Sequence, residues 1–393
     1  MPEAVITSAV RTPIGTAFKG MLAEVPAEAL ALHVLREAVR RSGVAAEHFD
    51  DVVFGESLYG GGDLARHAAV AAGMTRVPGV ALNRHCASSL TAVGAAAASI
   101  RSGMDRAVVA GGVQSFSTAP VLTWRVPLSD ETEQRNPPTF PYTEDATDDV
   151  SLSVGWNVAR KFGITRERMD AWALRSHRRA VAAIEAELFA DEIAPIKVTR
   201  RNGSVVAFAV DEHPRPTTSA EKLAVLKPLH PEIDGFSITA GNAAGVNDAA
   251  AALAVLSDDL AREQAAPVLA TVRAWAAVGV EPRFTGVGAI DAAVKVLDRA
   301  GLTASDIDLW EINEAFACVP VAACQELGLD EDRVNVHGSG CSLGHPVAAS
   351  GARMLTTLVH ELRRRGGGKG VATMCAGGGQ GGAVIVEVPE GAR

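Results

Sequence analysis

The sequence predicts an α/β protein made of two copies of one unit, each a mixed sheet covered by helices, with a different segment inserted between them. Three observations predict this. Two stretches far apart in the chain read alike. The elements that follow each stretch come in the same order. The segment between the copies differs in composition from both.

The first copy opens on the strand-like VITSAVRTPIG and the second on VLATVRAWAAVG. Next come VLREAVRRSGVAAEHFDDVVFGE (34–56) and AAVKVLDRAGLTASDIDLWEINE (292–314). In each, apolar residues at helical spacing run up to a glycine, Gly43 or Gly301, which predicts a helix with a glycine end. A short polar turn then leads into a strand that starts near Asp50 or Asp308. Further on, Cys86 opens a helix of small residues that leads to the strand RAVVAGGVQS. Cys341 precedes the helix of HPVAASGARMLTTLVHELRRRGG and the strand of GVATMCAGGGQGG. Both strands are expected to end in Ala-Gly-Gly, at Ala110 and Ala376, where glycine lets backbone approach a ligand closely.

This places the first copy at 1–119, completed by about 245–264, and the second at 265–393. Residues 120–245 form an inserted loop domain expected to cover the ligand. It begins with the irregular TWRVPLSDETEQRNPPTFPYTEDATDD, continues through the helical RERMDAWALRSHRRAVAAIEAELF, and ends in DEHPRPTTSAEKLAVLKP.

With 393 residues, 48% of them apolar and 21% charged, the chain can bury a large core. Its net charge of −9 argues against a non-specific grip on nucleic acid or an anionic membrane. No apolar run is long enough for a membrane span, and the opening residues lack the pattern of a secretory signal, so the expected location is the cytoplasm. The five cysteines are an odd number and none is spaced CxxC; the histidines form no HExxH or HxxxH pattern. A disulfide framework and a metal site are both unexpected.

If the copies pack around a two-fold axis, equivalent strand ends converge, and four motifs then meet: Cys86, NEAF (313–316), LGHP (343–346) and MCAGGGQGG (374–382). A thiol at a helix start feels the dipole and free N–H groups, which favour thiolate. His345, on a tight turn, can act as a base toward it. Asn313 offers an amide, and the glycines after Cys375 offer N–H groups for an oxyanion. Two thiols, a histidine and backbone donors suit acyl transfer through a thioester. Taken singly, each also has an ordinary reading: core thiols, a turn histidine, an asparagine helix cap.

On these motifs, from AVRTPIG through NEAFA and LGHPVAASGAR to CAGGGQG, the chain resembles the thiolases along essentially its whole length. The resemblance implies a five-layered α-β-α-β-α fold with a loop domain inserted in the first half. It implies Cys86 as the nucleophile that is acylated, His345 as its base, and Cys375 as acid and base at the substrate α-carbon. It implies one oxyanion hole from His345 and a water held by Asn313, and another from the N–H groups of Cys86 and Gly377. Coenzyme A and acyl-CoA are then substrates, with no permanently bound cofactor. Arg215, assisted by Lys222, would lie near the nucleotide end of CoA; Ala315 and Phe316 would line the pantetheine channel, with Ala244 where many members carry a pantetheine-binding serine. A homodimer or homotetramer is implied.

Several positions depart from the family pattern. Ser89 stands where glycine is usual, Gln114 where glutamate is common, and Val150 and Ser151 where short-chain members carry His-Met. Trp156 is bulky for its place, and His337, Ser339, Cys341 and Ser342 make the loop before LGHP more polar. No role is assigned to Cys341. Two alternatives remain open: a catalytically weak CoA-binding relative, and a ketoacyl-synthase-type condensing enzyme, against which Cys375 and NEAF argue.

Overall fold

The computed structural model describes residues 1–59, 61–143 and 146–391. In chain order the main elements are β1 (Ala4–Arg11), α1 (Ala27–Ser42), β2 (Asp51–Glu56), β3 (Gly79–Leu82), α2 (Ser88–Ser102) and β4 (Ala107–Gln114). Then follow α3 (Arg166–Glu185), β5 (Asn247–Ser257), β6 (Ala270–Gly279), α4 (Gly288–Ala300) and β7 (Leu309–Ile312). The chain closes with α5 (Cys318–Leu327), α6 (Ser350–Arg364), β8 (Gly368–Ala376) and β9 (Gln380–Val388).

The strands lie in the orders β3-β2-β4-β5-β1 and β6-β9-β8-β7, and the two sets join through a short antiparallel contact of Val5 with Thr271 and Ile6 with Ala270. Parallel pairs (β2 with β3 and β4; β7 with β8) sit beside antiparallel ones (β5 with β4 and β1; β9 with β8 and β6), so both sheets are mixed. The echo in the sequence is an echo in register. β1 is bulged between Ile6 and Ser8, and β6 between Val272 and Ala274. Beside β2 lies β3; beside β7 the matching place is reduced to a single parallel bridge, Trp310 with Val334.

Both predicted glycine ends are present: Gly43 caps α1 and Gly301 caps α4, each left-handed. Helices α2 and α6 touch each other and lie between the sheets, each against strands of both. α1 covers the outer face of the first sheet and α4 that of the second. The layers are therefore α-β-α-β-α. The sandwiched α2 is rich in alanine because close packing from both sides leaves room only for small side chains: a Cβ at Gly94 would sit 2.4 Å from the Trp275 ring. Three large buried clusters fill the spaces, one between the sheets around Leu90, Val93, Leu355 and Leu358, and one under each outer helix layer; a smaller fourth lies around Ile14, Ala180, Phe189 and Leu343.

Two expectations need correction. β4 does not end in Ala-Gly-Gly; it runs on through Gly111 and Gly112 to Gln114. These glycines are needed within the strand, since a Cβ at Gly112 would meet Ala348 O at 2.1 Å. Asn313 is not a helix cap: it follows β7 directly, and α5 starts only at Cys318, flanked by Ala317. Among the described residues no helix is long and apolar enough to cross a membrane.

Candidate active site

Cys86 lies in a 3₁₀ turn, His85–Ala87, just ahead of α2. That turn packs against the end of β8 and against a second 3₁₀ turn, Val347–Ala349, which follows His345. The fold thus brings Cys86, His345 and Cys375 to one place. Burial pushes the Cys86 thiol up to about 11, and the N–H groups of Gly377 and of Cys86 itself pull it back only partly. The helix start therefore does not make a resting thiolate. The thiol is neutral and needs a base.

His345 is that neighbour's imidazole, and its environment fixes its state. Burial, helped by the positive charge of Arg353, lowers it to about 3, so the ring is neutral. Its Nδ1 lies 2.7 Å from Ser350 Oγ, and Ser350 Oγ in turn donates to the Pro346 carbonyl at 3.0 Å. The hydroxyl has one hydrogen, so Nδ1 carries its own and Nε2 keeps a free lone pair. The backbone N–H of His345 donates to Asn247 Oδ1 at 3.1 Å. Gly344, with φ of +101°, makes the turn; a Cβ there would lie 2.3 Å from Asn247 Oδ1.

Asn313 Nδ2 lies 3.4 Å from both ring nitrogens of His345. Its Oδ1 is buried and has no hydrogen-bond partner among the described residues. A buried orphan acceptor is costly unless a ligand or water donates to it. Cys375, at the end of β8, is buried; burial raises its thiol well above the ordinary value, and repulsion between its thiolate and that of the nearby Cys86 raises it further. Gly377 follows, and a Cβ there would stand 3.3 Å from the His85 ring.

The next residue of NEAF, Glu314, ties the loop before His345 together. Its carboxylate accepts from Trp172 Nε1 (2.8 Å), Ser176 Oγ (2.6 Å), Asn335 Nδ2 (2.9 Å) and the Cys341 N–H (3.1 Å). Cys341 is buried with its thiol on the Glu314 carbonyl. Ser339 accepts from the buried Arg353, and Ser342 bonds Ser176, so the polar residues of this loop face partners. His337 bonds Glu361 at 2.8 Å. Gln114 accepts from Ser57 at 2.8 Å. Ser89 does not crowd Cys86: its Oγ accepts the Ala352 N–H at 2.9 Å, in the first turn of α6.

The expected CoA contacts fall in two groups. Ala244 donates its N–H to Ala315 O at 2.9 Å, and Ala243 bridges Phe316, so Ala244, Ala315 and Phe316 form one wall beside Asn313. Arg215 and Lys222 are exposed on the inserted segment. The Arg215 N–H donates to His177 Nδ1 at 3.2 Å, and Lys222 Nζ donates to Thr217 O at 2.7 Å. Among the described residues no group of three or more His, Cys, Asp or Glu could hold a metal.

Sequence reasoning missed His85, Ser350 and Asn247. His85 adjoins Cys86, has a left-handed backbone (φ 44°), packs on Gly377, and reaches Thr139 Oγ1 with Nε2 at 3.1 Å. Its place beside Cys86 was the available signal. Nothing local marks Asn247, because it meets His345 only through the fold.

The arrangement can move a proton from a neutral thiol to a neutral imidazole and hold an oxyanion on backbone N–H groups. Comparison with known proteins shows the family. The family described as "Thiolase, N-terminal domain" matches residues 4–259, and "Thiolase, C-terminal domain" matches 266–388. An acetyl-CoA acetyltransferase of Pseudomonas aeruginosa is 41% identical over 97% of this chain and 98% of its own. The crystal structure of the Bacillus anthracis acetyl-CoA acetyltransferase superposes with a TM-score of 0.91 at 40% identity, covering 99% of both chains. Human mitochondrial 3-ketoacyl-CoA thiolase does so with 0.90 at 34% identity, again over 99% of both. The chain belongs to the thiolase family of CoA-dependent acyltransferases.

Proposed function

We propose that this protein cleaves or forms 3-ketoacyl-CoA through an acyl-Cys86 thioester, by a ping-pong mechanism. In the cleavage direction, His345 Nε2 takes the Cys86 proton as the sulfur attacks the 3-keto carbon. The resulting oxyanion rests on the N–H groups of Cys86 and Gly377. The C2–C3 bond breaks, and its electrons pass into the enolate of acetyl-CoA. That enolate oxygen is held by His345 and a water fixed by Asn313, and Cys375 protonates its α-carbon. The CoA thiol gives its proton to the Cys375 thiolate and attacks acyl-Cys86; the Cys86 sulfur leaves, takes back its proton from His345, and a shortened acyl-CoA is released. Condensation is the reverse, with Cys375 as base.

The single observation that carries this reading is the packing of the Cys86 turn between the His345 turn and the Cys375–Gly377 strand end. The orphaned Asn313 Oδ1 supports a held water. Ala244, Ala315 and Phe316 line the pantetheine path, and Arg215 with Lys222 attracts the CoA phosphates. Residues 1–119 with 245–264, and 265–393, act as the two halves, with 120–245 as the cover. The enzyme works in the cytoplasm as a homodimer or homotetramer and holds no permanent cofactor.

The test is thiolysis of acetoacetyl-CoA by added CoA, followed by loss of the magnesium-enolate absorbance, with Cys86→Ala as the blank. Turnover that vanishes in the variant is expected. If acetoacetyl-CoA is inert, longer and branched 3-ketoacyl-CoAs are tried next; inertness toward all of them favours a catalytically weak CoA-binding relative.

A further inference from the structure

Arg215 stands between two prolines, Pro214 and Pro216. A proline has no N–H, so the Arg215 N–H is the one backbone donor of this tripeptide. It goes to His177 Nδ1, at 3.2 Å. Pro216 also biases Arg215 toward an extended backbone. The guanidinium itself is exposed and, among the described residues, pairs with no carboxylate.

His177 lies on α3 and is 5% exposed. The residue before it, Ser176, donates to Glu314 at 2.6 Å, and Trp172, about one turn earlier, donates to the same carboxylate at 2.8 Å. This part of α3 is therefore fixed to the NEAF stretch, beside Asn313. Burial above all, and then the charges of His213 and Arg215, lowers His177 to about 4. The ring is neutral at pH 7. Because Nδ1 accepts the Arg215 N–H, the ring proton is on Nε2.

The chain on either side of Arg215 is anchored separately. Asp211 pairs with the buried Arg11 at 2.8 Å, and Glu212 accepts the N–H groups of Thr16 (2.6 Å) and Met21 (3.0 Å). His213 packs on Gly245, where a Cβ would stand 2.3 Å from its Cε1, and the Gly245 carbonyl accepts the His345 N–H at 3.3 Å. Beyond Arg215, Ser219 caps the short helix Ala220–Ala224. The other hydrogen bonds of the turn are local: the Thr218 N–H to the Arg215 carbonyl (3.2 Å) and Lys222 Nζ to the Thr217 carbonyl (2.7 Å). Among the described residues, the bond to His177 is the one that ties this turn to another element.

We infer that His177 is a positioning residue for coenzyme A: by holding the Arg215 N–H it keeps the Arg215 guanidinium beside the Gly245 end of the pantetheine wall, where it meets the phosphates of the nucleotide end. The inference rests on the thiolase reading and on Arg215 as a phosphate contact. An exposed arginine on a fixed backbone loses less freedom on binding than one on a loose loop, so the anchor acts on affinity for CoA and not on the chemical step.

The test is thiolysis at saturating 3-ketoacyl-CoA, with the accepting thiol varied: CoA, or pantetheine, which has the same thiol and no phosphate. His177→Leu is expected to raise KM for CoA about fivefold, with kcat within about twofold and KM for pantetheine unchanged. His177→Asn, whose Oδ1 takes the place of Nδ1, restores KM. Arg215→Ala raises KM for CoA about tenfold, and adding His177→Leu to it changes nothing more. Should His177→Leu not fold, His177→Gln, whose oxygen lies one bond further out, replaces it. An unchanged KM for CoA in His177→Leu overturns the proposal. So does an equal rise with pantetheine, or a further rise once Arg215 is gone, since His177 would then act on the structure at large. If Arg215→Ala leaves KM for CoA unchanged, Arg215 is not a phosphate contact and the proposal falls with that assignment. If no 3-ketoacyl-CoA reacts, the thiolase reading fails, and the Kd of CoA measured by calorimetry on the same variants decides whether His177 acts through Arg215.

Discussion

Cys86 and Ala348 stand at matching places in the two copies, each the middle residue of the 3₁₀ turn just before a central helix, and His345 lies three residues ahead of Ala348. The turn His85–Ala87 crosses to β8 of the second copy, and the turn Val347–Ala349 crosses to β4 of the first. Up to this point the two-fold relation is close. It breaks at the strand ends. β8 stops at Ala376 and opens into glycines, so Cys375 and the Gly377 N–H face the thiol. β4 continues to Gln114, Val109 stands where β8 has Cys375, and Ala348 O presses on Gly112. A duplicated scaffold thus yields two crossings but one reactive mouth. The closed crossing holds the His345 turn in place; the open one leaves room for substrate.

The comparison predicts that the reactive groups are not interchangeable. On the proposed mechanism Cys86→Ala removes the acylated nucleophile, and thiolysis is expected to fall by about 10⁴-fold or more. Mass spectrometry after mixing with acyl-CoA should show no acylated protein. An acyl adduct persisting on Cys341 or Cys375 would show that the copies share the nucleophile.

On the proposed mechanism His345→Ala removes both a base and an oxyanion donor, and it is expected to lower turnover by about 10²- to 10⁴-fold. The pH profile makes the same point without a mutation. Burial and Arg353 lower His345 to about 3, so the ring is neutral above that and becomes protonated only as pH falls through it. No acid limb from this residue is therefore expected between pH 5 and 8. A limb near the ordinary histidine value of about 6.5 would place the ring in contact with water.

Much of this site was legible because its groups are carried by short motifs. Cys86, Asn313, His345 and Cys375 each sit in a run whose composition already suggests a turn or a strand end, and Gly43 and Gly301 mark their helix ends without help from the fold. What was hidden depends on contacts across the chain. β4 looks finished at Ala110, and only the approach of Ala348, more than two hundred positions away, explains why glycines continue it. The Cys86 thiol reads as activated by a helix start, yet burial outweighs that effect. The place of Asn247 under His345 has no local sign at all.

The central helices themselves are held differently, and this gives a stability prediction. α6 carries Glu361, which accepts from His337 (2.8 Å) and Arg365 (2.7 Å) and also pairs with Arg364; α2 has no such cluster. Burial pushes the Glu361 carboxyl up, but its hydrogen bonds and the surrounding positive charge win and bring it down to about 2. A lowered carboxylate contributes stability above its unfolded value of about 4.3, and that contribution is lost as pH falls through about 2. Glu361→Gln is expected to cost up to about 3 kcal/mol at pH 7 and to flatten the acid loss below pH 4.5. Urea unfolding at pH 7 and pH 3 measures both. Equal losses at the two pH values would mean that packing, not charge, holds α6.

The smallest effect tests whether the two central helices are joined at their starts. Ser89 sits at the beginning of α2, where its backbone neighbours Cys86, and its Oγ accepts the Ala352 N–H in the first turn of α6. The first N–H groups of a helix have no partner within the helix, and α6 has no side-chain cap of its own. Ser89 supplies one from the other copy. Both residues are buried, so water cannot replace the lost bond. Ser89→Ala should therefore cost about 1 kcal/mol in urea unfolding, with turnover changed by less than about twofold. If stability holds but turnover falls, the hydroxyl positions the Cys86 turn rather than the helix. If both are unchanged, the contact with Gly112 and Gly351 alone keeps the two helix starts together.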